Sequence, residues 1–226
     1  MTESITDLRG VGSFNYNGTT VLCRSDVYSV AHVISDMRGA KTWRRNVVGQ
    51  KIELTDQCFI IFRLRSHQWT QVIGRDRAAF NLLRSSNLDT EQTVKKMREA
   101  EQSIHLNEDD AEILSGLLDT YSIFYQVSDT ANALRYKLYF NGKLLEKFKA
   151  DDWYDVPELE SYFRTVNIDN IGDVREWVDR FFKEQNVYIP GWKFTDFAGY
   201  FCHKPGDKIL IEDPDRDFER LDFINL

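Results

Sequence analysis

The dipeptide Asn141-Gly142 lies between two segments of alternating character, and it constrains the fold more than any other feature. Both residues tolerate the positive φ of a type I′ turn, which is the usual turn of a two-residue β-hairpin. The strand before the turn places four apolar residues on one face, as a half-buried strand requires: Leu134, Tyr136, Leu138 and Phe140. We therefore predict a hairpin within residues 122–148 and expect it to lie in the middle of a larger sheet.

Three segments have the apolar spacing of amphipathic helices, in which buried residues recur at i, i+3, i+4 and i+7. They are residues 26–38, 108–119 and 173–185. We expect Ser25 to cap the first helix and Gly39 to end it, and Asn107 to cap the second. Shorter helices are predicted at 78–85 and at Pro157, and residues 89–104 read as a polar helix or a linker.

Several strands are predicted around these helices. The apolar run 58–65 should pair with residues 68–73 through a connection at Ser66-His67. A turn at Asn17-Gly18 should join strands at 12–16 and 19–24. Further strands are expected at these positions: 51–54, 194–203, 208–211 and 218–224.

Short turns between strands favour antiparallel order over a doubly wound sheet. We predict an α+β fold, with a mostly antiparallel sheet built from hairpins and three or four amphipathic helices packed on it. Residues 1–226 are expected to form a single domain. A subdivision near residue 150 remains open, and residues 86–107 are a possible polar insertion.

Composition indicates a protein with a substantial core, because 42% of the 226 residues are hydrophobic and 13% are aromatic. Cys23, Cys58 and Cys202 are widely spaced, lack metal-ligand spacing and are predicted to be buried free thiols. The polar start does not resemble a secretory signal, and no run approaches the ~20 apolar residues of a membrane-spanning helix. We therefore expect a cytoplasmic protein that does not engage a membrane.

Known catalytic and cofactor motifs are missing from the sequence. Residues 10–12 contain Gly-Val-Gly, but neither a third glycine nor a helical pattern follows, as a dinucleotide site requires. The four histidines show no ligand spacing. Alternating acids from Asp213 onward suggest a calcium loop, but Phe218 stands where that loop needs a glycine. No cofactor and no metal site are predicted.

Charge is distributed unevenly along the chain. Residues 150–226 hold 18 acidic and 9 basic residues, whereas residues 1–149 hold 18 and 20. Residues 38–84 carry ten bases against three acids. The basic and acidic parts can pair with each other within the fold, or each can meet a partner of opposite charge.

The first functional hypothesis is a non-catalytic protein-binding or regulatory protein that engages a basic partner through an acidic surface within residues 151–222. Aromatic side chains anchor interfaces, and complementary charge raises association rates. In charge and size alone the chain is similar to immunity proteins, which neutralise basic toxins. The residues predicted to bind the partner are Trp153, Tyr154, Trp192, Asp213, Asp215 and Asp217.

Two alternatives remain open at this point. An enzyme site assembled only in three dimensions would lie at the mouth of the first long hairpin and use Arg63, Arg65, His67, Trp69 and Asp76. Nucleic-acid binding would use the basic segment 38–84 and its aromatic residues, although the acidic protein as a whole disfavours it. The sequence does not indicate the oligomeric state.

Overall fold

The computed structural model describes residues 7–53, 55, 57–76, 106–166, 171–190, 208–210 and 218–226, with 75, 76 and 208–210 described by their backbone only. These ranges contain thirteen strands and three helices. The strands are β1 (Gly10–Val11), β2 (Asn17–Cys23), β3 (Thr42–Arg44), β4 (Lys51–Glu53), β5 (Gln57–Leu64), β6 (Thr70–Asp76), β7 (Tyr121–Ser128), β8 (Ala133–Phe140), β9 (Lys143–Ala150), β10 (Glu158–Ser161), β11 (Tyr188–Ile189), β12 (Lys208–Leu210) and β13 (Phe218–Asn225). The helices are α1 (Val27–Arg38), α2 (Glu108–Leu117) and α3 (Val174–Glu184).

Nine strands form one sheet in the order β10-β9-β8-β7-β2-β6-β5-β13-β3, and every neighbouring pair is antiparallel. The predicted antiparallel sheet of an α+β fold is confirmed. The last strand, β13, lies between β5 and β3, so strands from both sides of residue 150 share the sheet. Two small pairs stand apart from it: β1 with β11 in parallel, and β4 with β12 in antiparallel order.

The helices cover both faces of the sheet. Adjacent strand residues point to opposite faces, and Val21 packs with α1 and α2 whereas Leu22 packs with α3. The core on the α3 side is aromatic, since the rings of Tyr136 and Phe181 stack with centroids 3.9 Å apart. A third cluster of buried residues lies between β5, β13 and the β4 region.

The helix ends follow from short polar side chains. Asp26, rather than the predicted Ser25, caps α1, because its carboxylate accepts a hydrogen bond from the backbone N–H of Ser29 at 3.0 Å. Gly39 ends that helix in the left-handed conformation, as predicted, with a φ of 62°. Asn107 caps α2 as predicted, in a reciprocal capping box with Asp110.

The hairpin at Asn141-Gly142 is confirmed, with φ values of 47° and 70° at the two turn residues. Its strands, β8 and β9, are the third and second from the β10 edge, so the expected position in the middle of the sheet is wrong. The fifth and central strand is β2. Local turn chemistry specifies a hairpin but carries no information about its place in the sheet.

The turn predicted at Asn17-Gly18 is wrong. Both residues lie inside β2 and pair with Ser128 and Val127 of β7. The side chain of Asn17 donates to Asp129 at 2.6 Å, so its polarity serves the neighbouring β7–β8 turn. A short helix at Pro157 is also wrong, because the residues that follow form strand β10.

Other predicted elements are met in part. The connection at Ser66-His67 does join β5 to β6, and the last predicted strand is β13. The predicted strand at 51–54 appears as β4, outside the main sheet. Predictions at 78–85, 86–107 and 194–203 fall wholly or almost wholly outside the described residues.

Candidate functional site: an acidic edge and a neighbouring cleft

The segment that follows β9 crosses the outer edge of the sheet, and we call residues 151–163 the acidic edge. It includes β10, whose Glu158 lies opposite Lys149 and whose Ser161 lies opposite Glu146. In the part of the chain that the structure describes, no strand pairs with the other side of β10. Backbone N–H and C=O groups along such an edge are available to another chain.

The acidic edge exposes large apolar side chains. Tyr154 is 84% exposed, Val156 84%, Tyr162 64% and Phe163 47%. These are half of the eight large hydrophobic side chains that stand exposed among the described residues. Single exposed apolar residues are ordinary on a protein surface, but a cluster within one short segment is typical of an interaction site.

Five acids and no base lie within the acidic edge: Asp151, Asp152, Asp155, Glu158 and Glu160. Two are paired, Asp151 with Arg135 and Lys149, and Glu160 with Lys147. Hydrogen bonding from Lys149, with a smaller contribution from Arg135, lowers the pKa of Asp151 against the opposing effect of desolvation. The other three form no ion pair within the described residues, so the segment presents uncompensated negative charge.

Two anchors hold the acidic edge to the core. Trp153 is half-buried and packs against the α3-side cluster, and the Arg175 guanidinium lies 5.1 Å from its ring centroid. Arg164, directly after the segment, donates to the fully buried Glu146 at 2.6 Å. This hydrogen bonding is the main reason why the pKa of Arg164 is raised. The segment is therefore fixed in place while its apolar side chains face solvent.

The buried carboxylate of Glu146 also accepts from the Tyr136 hydroxyl at 2.7 Å. Burial first, and then the charge of Glu146, raises the pKa of Tyr136 well above its ordinary value. Trp177 donates to the same hydroxyl at 3.3 Å. Every polar group in this network has a partner, which is typical of a structural network rather than a reactive one.

A cleft of about 440 Å³ opens beside Phe163 on the α3 side of the sheet. Its apolar wall is formed by Trp69, Tyr121, Leu138, Leu145 and Phe163, and its polar rim by Arg24, Gln68, Glu184, Gln185 and Asn186. Apolar walls with a few polar groups at the rim are typical of small-molecule sites. Among the described residues that line this cleft there is no serine, cysteine or histidine.

The residues predicted for an enzyme site are only partly brought together. Arg63 pairs with Glu219, its Nε donating at 2.8 Å, and Arg65 donates to the carbonyl of Phe218 at 3.1 Å. His67 is buried, with Nε2 3.4 Å from Arg9 Nη1. Trp69 forms part of the cleft wall, and its indole N–H donates to the carbonyl of Gln185 at 3.0 Å.

Asp76 does not join this group. It pairs with Gln57 at the far end of the β5–β6 hairpin, whereas Arg63 pairs with Thr70 near the turn. Asp76 follows Thr70 by six residue steps along β6, which is roughly 20 Å at the usual rise of a strand. The structure thus separates Asp76 from His67, and it does not describe the Asp76 side chain.

Of the predicted partner-binding residues, Trp153 and Tyr154 both belong to the acidic edge. Tyr154 is open to solvent, whereas Trp153 serves as an anchor. The remaining four lie outside the described residues: Trp192, Asp213, Asp215 and Asp217.

Those aromatic residues of the basic segment 38–84 that the structure describes do not form a stacking surface. Phe59, Phe62 and Trp69 are buried in the fold. Trp43 is half-buried, with the Arg45 guanidinium 4.5 Å from its ring centroid. The contact between Arg63 and Glu219 joins the basic segment to the acidic C-terminal part, so some of their charge is neutralised within the fold.

The thiol of Cys23 is buried and free, as predicted, and Cys58 is buried; Cys202 lies outside the described residues. Burial raises the pKa of Cys23 to about 12, with a further contribution from Asp26. A thiol of this kind is protonated at neutral pH and is a poor nucleophile.

Sequence reasoning missed Val156, Tyr162 and Phe163 of the acidic edge and Arg24 and Gln68 at the cleft. For the acidic edge a signal is present, because apolar residues are interspersed there with five acids and no base. The cleft brings together residues that are distant in sequence, so no local pattern reveals it.

Comparison of the chain with protein-family models, curated proteins and solved structures gave no match. Within the described ranges, no three His, Cys, Asp or Glu side chains are arranged so that they could hold a metal ion. None of the helices described above is long and apolar enough to cross a membrane.

Proposed function

We propose that this chain is a non-catalytic protein-binding module that engages a basic partner protein through the acidic edge, residues 151–163. The observation that carries the proposal is the combination of four exposed apolar side chains with five acids and no base in one anchored segment. Aromatic side chains supply most of the affinity of an interface when they become buried. Negative charge around them selects a positively charged partner and speeds its approach.

The edge of β10 adds a second means of attachment. An extended segment of the partner can pair with this strand, since main-chain hydrogen bonds give affinity in strand addition and side chains give selectivity. Glu158 and Glu160 alternate along β10, as charged residues often do on edge strands that avoid self-association. The same charges would attract a lysine- or arginine-rich strand.

Anchoring supports the proposal because it lowers the entropic cost of binding. Trp153 and Arg164 hold the two ends of the acidic edge, so fewer residues need to be ordered when a partner binds. Trp192, Asp213, Asp215 and Asp217 stay part of the proposal as sequence predictions. A cytoplasmic location also stays a proposal.

Site-specific photo-crosslinking tests this function. Benzoylphenylalanine replaces Tyr154 in one variant and Leu117 in a matched control, since Leu117 is also well exposed (66%) but lies on α2 at the opposite face. We expect a basic protein to be captured from Tyr154 and not from Leu117. Equal capture at both positions, or capture of an acidic protein, would contradict the proposal.

The captured protein is then purified and its affinity measured. Tyr154→Ala and Tyr162→Ala should each weaken binding by about tenfold or more, the range of interface hot spots. Leu117→Ala should leave affinity unchanged. If both tyrosine variants bind as tightly as the wild type, the acidic edge is not the binding surface.

A further inference from the structure

The cleft beside Phe163 has a chemical character of its own, distinct from that of the acidic edge. Its wall includes Trp69 and Leu138, both almost fully buried, and the half-buried Tyr121 and Leu145. A volume of about 440 Å³ lies within the usual range of small-molecule sites. The wall therefore suits a compact apolar or aromatic group.

The acceptor atoms at the rim are largely engaged. Gln68 Oε1 accepts from Arg24 Nε at 3.0 Å, and Asn186 Oδ1 accepts from Arg9 Nε. The carbonyl of Gln185 accepts from the Trp69 indole at 3.0 Å. Glu184 Oε2 accepts from Arg164 Nη1 at 2.8 Å, so the charge of Glu184 is offset by that ion pair.

The orientation of the two amides follows from these contacts. A guanidinium can only donate, so the atom of Gln68 that faces Arg24 must be the oxygen, and the same holds for Asn186 and Arg9. Gln68 Nε2 and Asn186 Nδ2 are then the remaining side-chain donors. Within the described part of the chain, neither of them has an acceptor.

Arg24 is the one cation at the rim that forms no ion pair with any described residue. Its backbone is fixed, because its N–H donates to the Tyr121 carbonyl at 2.9 Å and its own carbonyl accepts from the Thr120 hydroxyl at 2.9 Å. The bond from Nε to Gln68 orients the guanidinium. Nη1 and Nη2 are left to donate, in the fork that matches a carboxylate.

We propose that this cleft binds a small amphipathic carboxylate, an aryl- or alkyl-substituted acid, with its apolar group against Trp69 and Phe163 and its carboxylate on Arg24 and Gln68. The Arg24 guanidinium and the amide N–H groups of Gln68 and Asn186 can all donate hydrogen bonds to a ligand. They therefore favour an anion over a cation, or over a neutral ligand with few acceptor atoms. The site shares Phe163 with the acidic edge, but its polar contacts, Arg24 and Gln68, lie outside residues 151–163, so the two proposals can be tested separately.

The test compares phenylacetate with phenylacetamide, which has nearly the same shape and no charge. Binding of each to the full chain is measured by isothermal titration and by ligand-observed NMR. We expect saturable binding of phenylacetate and at least about tenfold weaker binding of the amide, the usual value of a charge-assisted hydrogen bond. Equal affinity for the two probes, or no saturable binding of phenylacetate, would overturn the proposal.

Two variants with the same change of charge locate the site. Arg24→Gln should weaken phenylacetate binding by about tenfold and leave amide binding unchanged. Arg45→Gln is the matched control, since Arg45 is exposed beside Trp43 on the α1 side of the sheet. Thermal unfolding of both variants verifies that they are folded. If the two variants bind phenylacetate equally well, the carboxylate is not held at Arg24.

Discussion

Aromatic and charged side chains occur at both outer edges of the nine-stranded sheet, but the contacts that they make differ between the two edges. One is the acidic edge at β10. The other we call the basic edge, residues 42–46, which includes β3 and reads Thr-Trp-Arg-Arg-Asn. Both combine aromatic side chains with charges of a single sign. Side chains of the basic edge contact other parts of the chain, whereas the acidic edge exposes its apolar side chains to solvent.

A single buried carboxylate, that of Asp222, accepts hydrogen bonds from the basic edge. Asp222 is fully buried and accepts four hydrogen bonds, from Trp43 Nε1, from the N–H of Asn46, and from Nε and Nη2 of Arg220, all at 2.8–2.9 Å. The bonds to Asp222 are the main reason why the pKa of Arg220 is raised. Aromatic and charged residues that are close together in the sequence thus indicate a binding surface for another protein only where these residues have no contacts within the fold.

The largest effect is expected at the basic edge. Asp222→Ala removes a buried charge that offsets Arg220 and leaves the Trp43 and Asn46 donors unpaired, so it should lower the free energy of unfolding by about 3–5 kcal/mol. Urea unfolding measures the loss. The matched change at the acidic edge is Asp155→Ala, which should have almost no effect. Similar losses for the two variants would mean that the edges do not differ.

A smaller effect is expected from the anchor of the acidic edge. Trp153→Ala removes half-buried apolar surface and should lower the free energy of unfolding by about 2 kcal/mol. The sheet should persist while residues 151–163 become more susceptible to limited proteolysis. Val156→Ala, which alters a side chain in solvent, is the control. Unchanged cleavage in the Trp153 variant would show that this residue does not anchor the segment.

Removal of the residue that caps α1, Asp26, should lower the free energy of unfolding by about 1 kcal/mol, and this loss should depend on pH. Desolvation tends to raise the pKa of Asp26, but hydrogen bonds from Ser29 outweigh it and lower the pKa below 3.8. A lowered pKa in the folded state means that the charged form adds stability above pH 3.8, and that this stability is lost as the pH falls through the folded value.

Asp26→Ala should therefore cost about 1 kcal/mol at pH 7 and less below pH 3. Urea unfolding of the wild type and the variant at both pH values measures the difference. A cost that is constant, or that grows in acid, would show that the charge of Asp26 does not contribute.

The smallest effect is expected at the ion pairs of the acidic edge. Asp151 is exposed and paired with Lys149 and Arg135, so Asp151→Asn should leave the unfolding temperature almost unchanged. Thermal unfolding at low and high salt measures this change. A clear fall in the unfolding temperature would indicate that these pairs stabilise the sheet rather than tune the charge of its edge.

Local patterns in the sequence predicted the local structure well. The turn at Asn141-Gly142 and the caps Gly39 and Asn107 each depend on a few adjacent residues with specific backbone or hydrogen-bonding requirements. The same rule failed at Asn17-Gly18, because pairing with β7 overrides the turn preference of that dipeptide. Tertiary context decides between two local structures that one sequence permits.

The order of the strands in the sheet and the contacts between distant residues could not be predicted from the sequence. The insertion of β13 between β5 and β3 places Asp222 beside Trp43, about 180 residues away along the chain. No periodicity encodes such a pairing, and the same holds for the contact of Arg24 with Gln68 at the cleft. At the acidic edge, Tyr154 is exposed whereas Trp153 is half-buried. The sequence alone does not reveal which of these two adjacent aromatic residues packs against the core.

The most direct test of the acidic edge is the rate at which the photo-captured partner associates with it as salt increases. The variant Asp152→Asn/Asp155→Asn/Glu158→Gln neutralises the three unpaired acids, and Asp36→Asn/Glu53→Gln/Asp119→Asn is a control of equal charge elsewhere. We predict that association with the wild type and the control slows steeply with salt, whereas the edge variant associates slowly and with little salt dependence. Equal rates and equal salt dependence for the two variants would contradict a binding surface at residues 151–163.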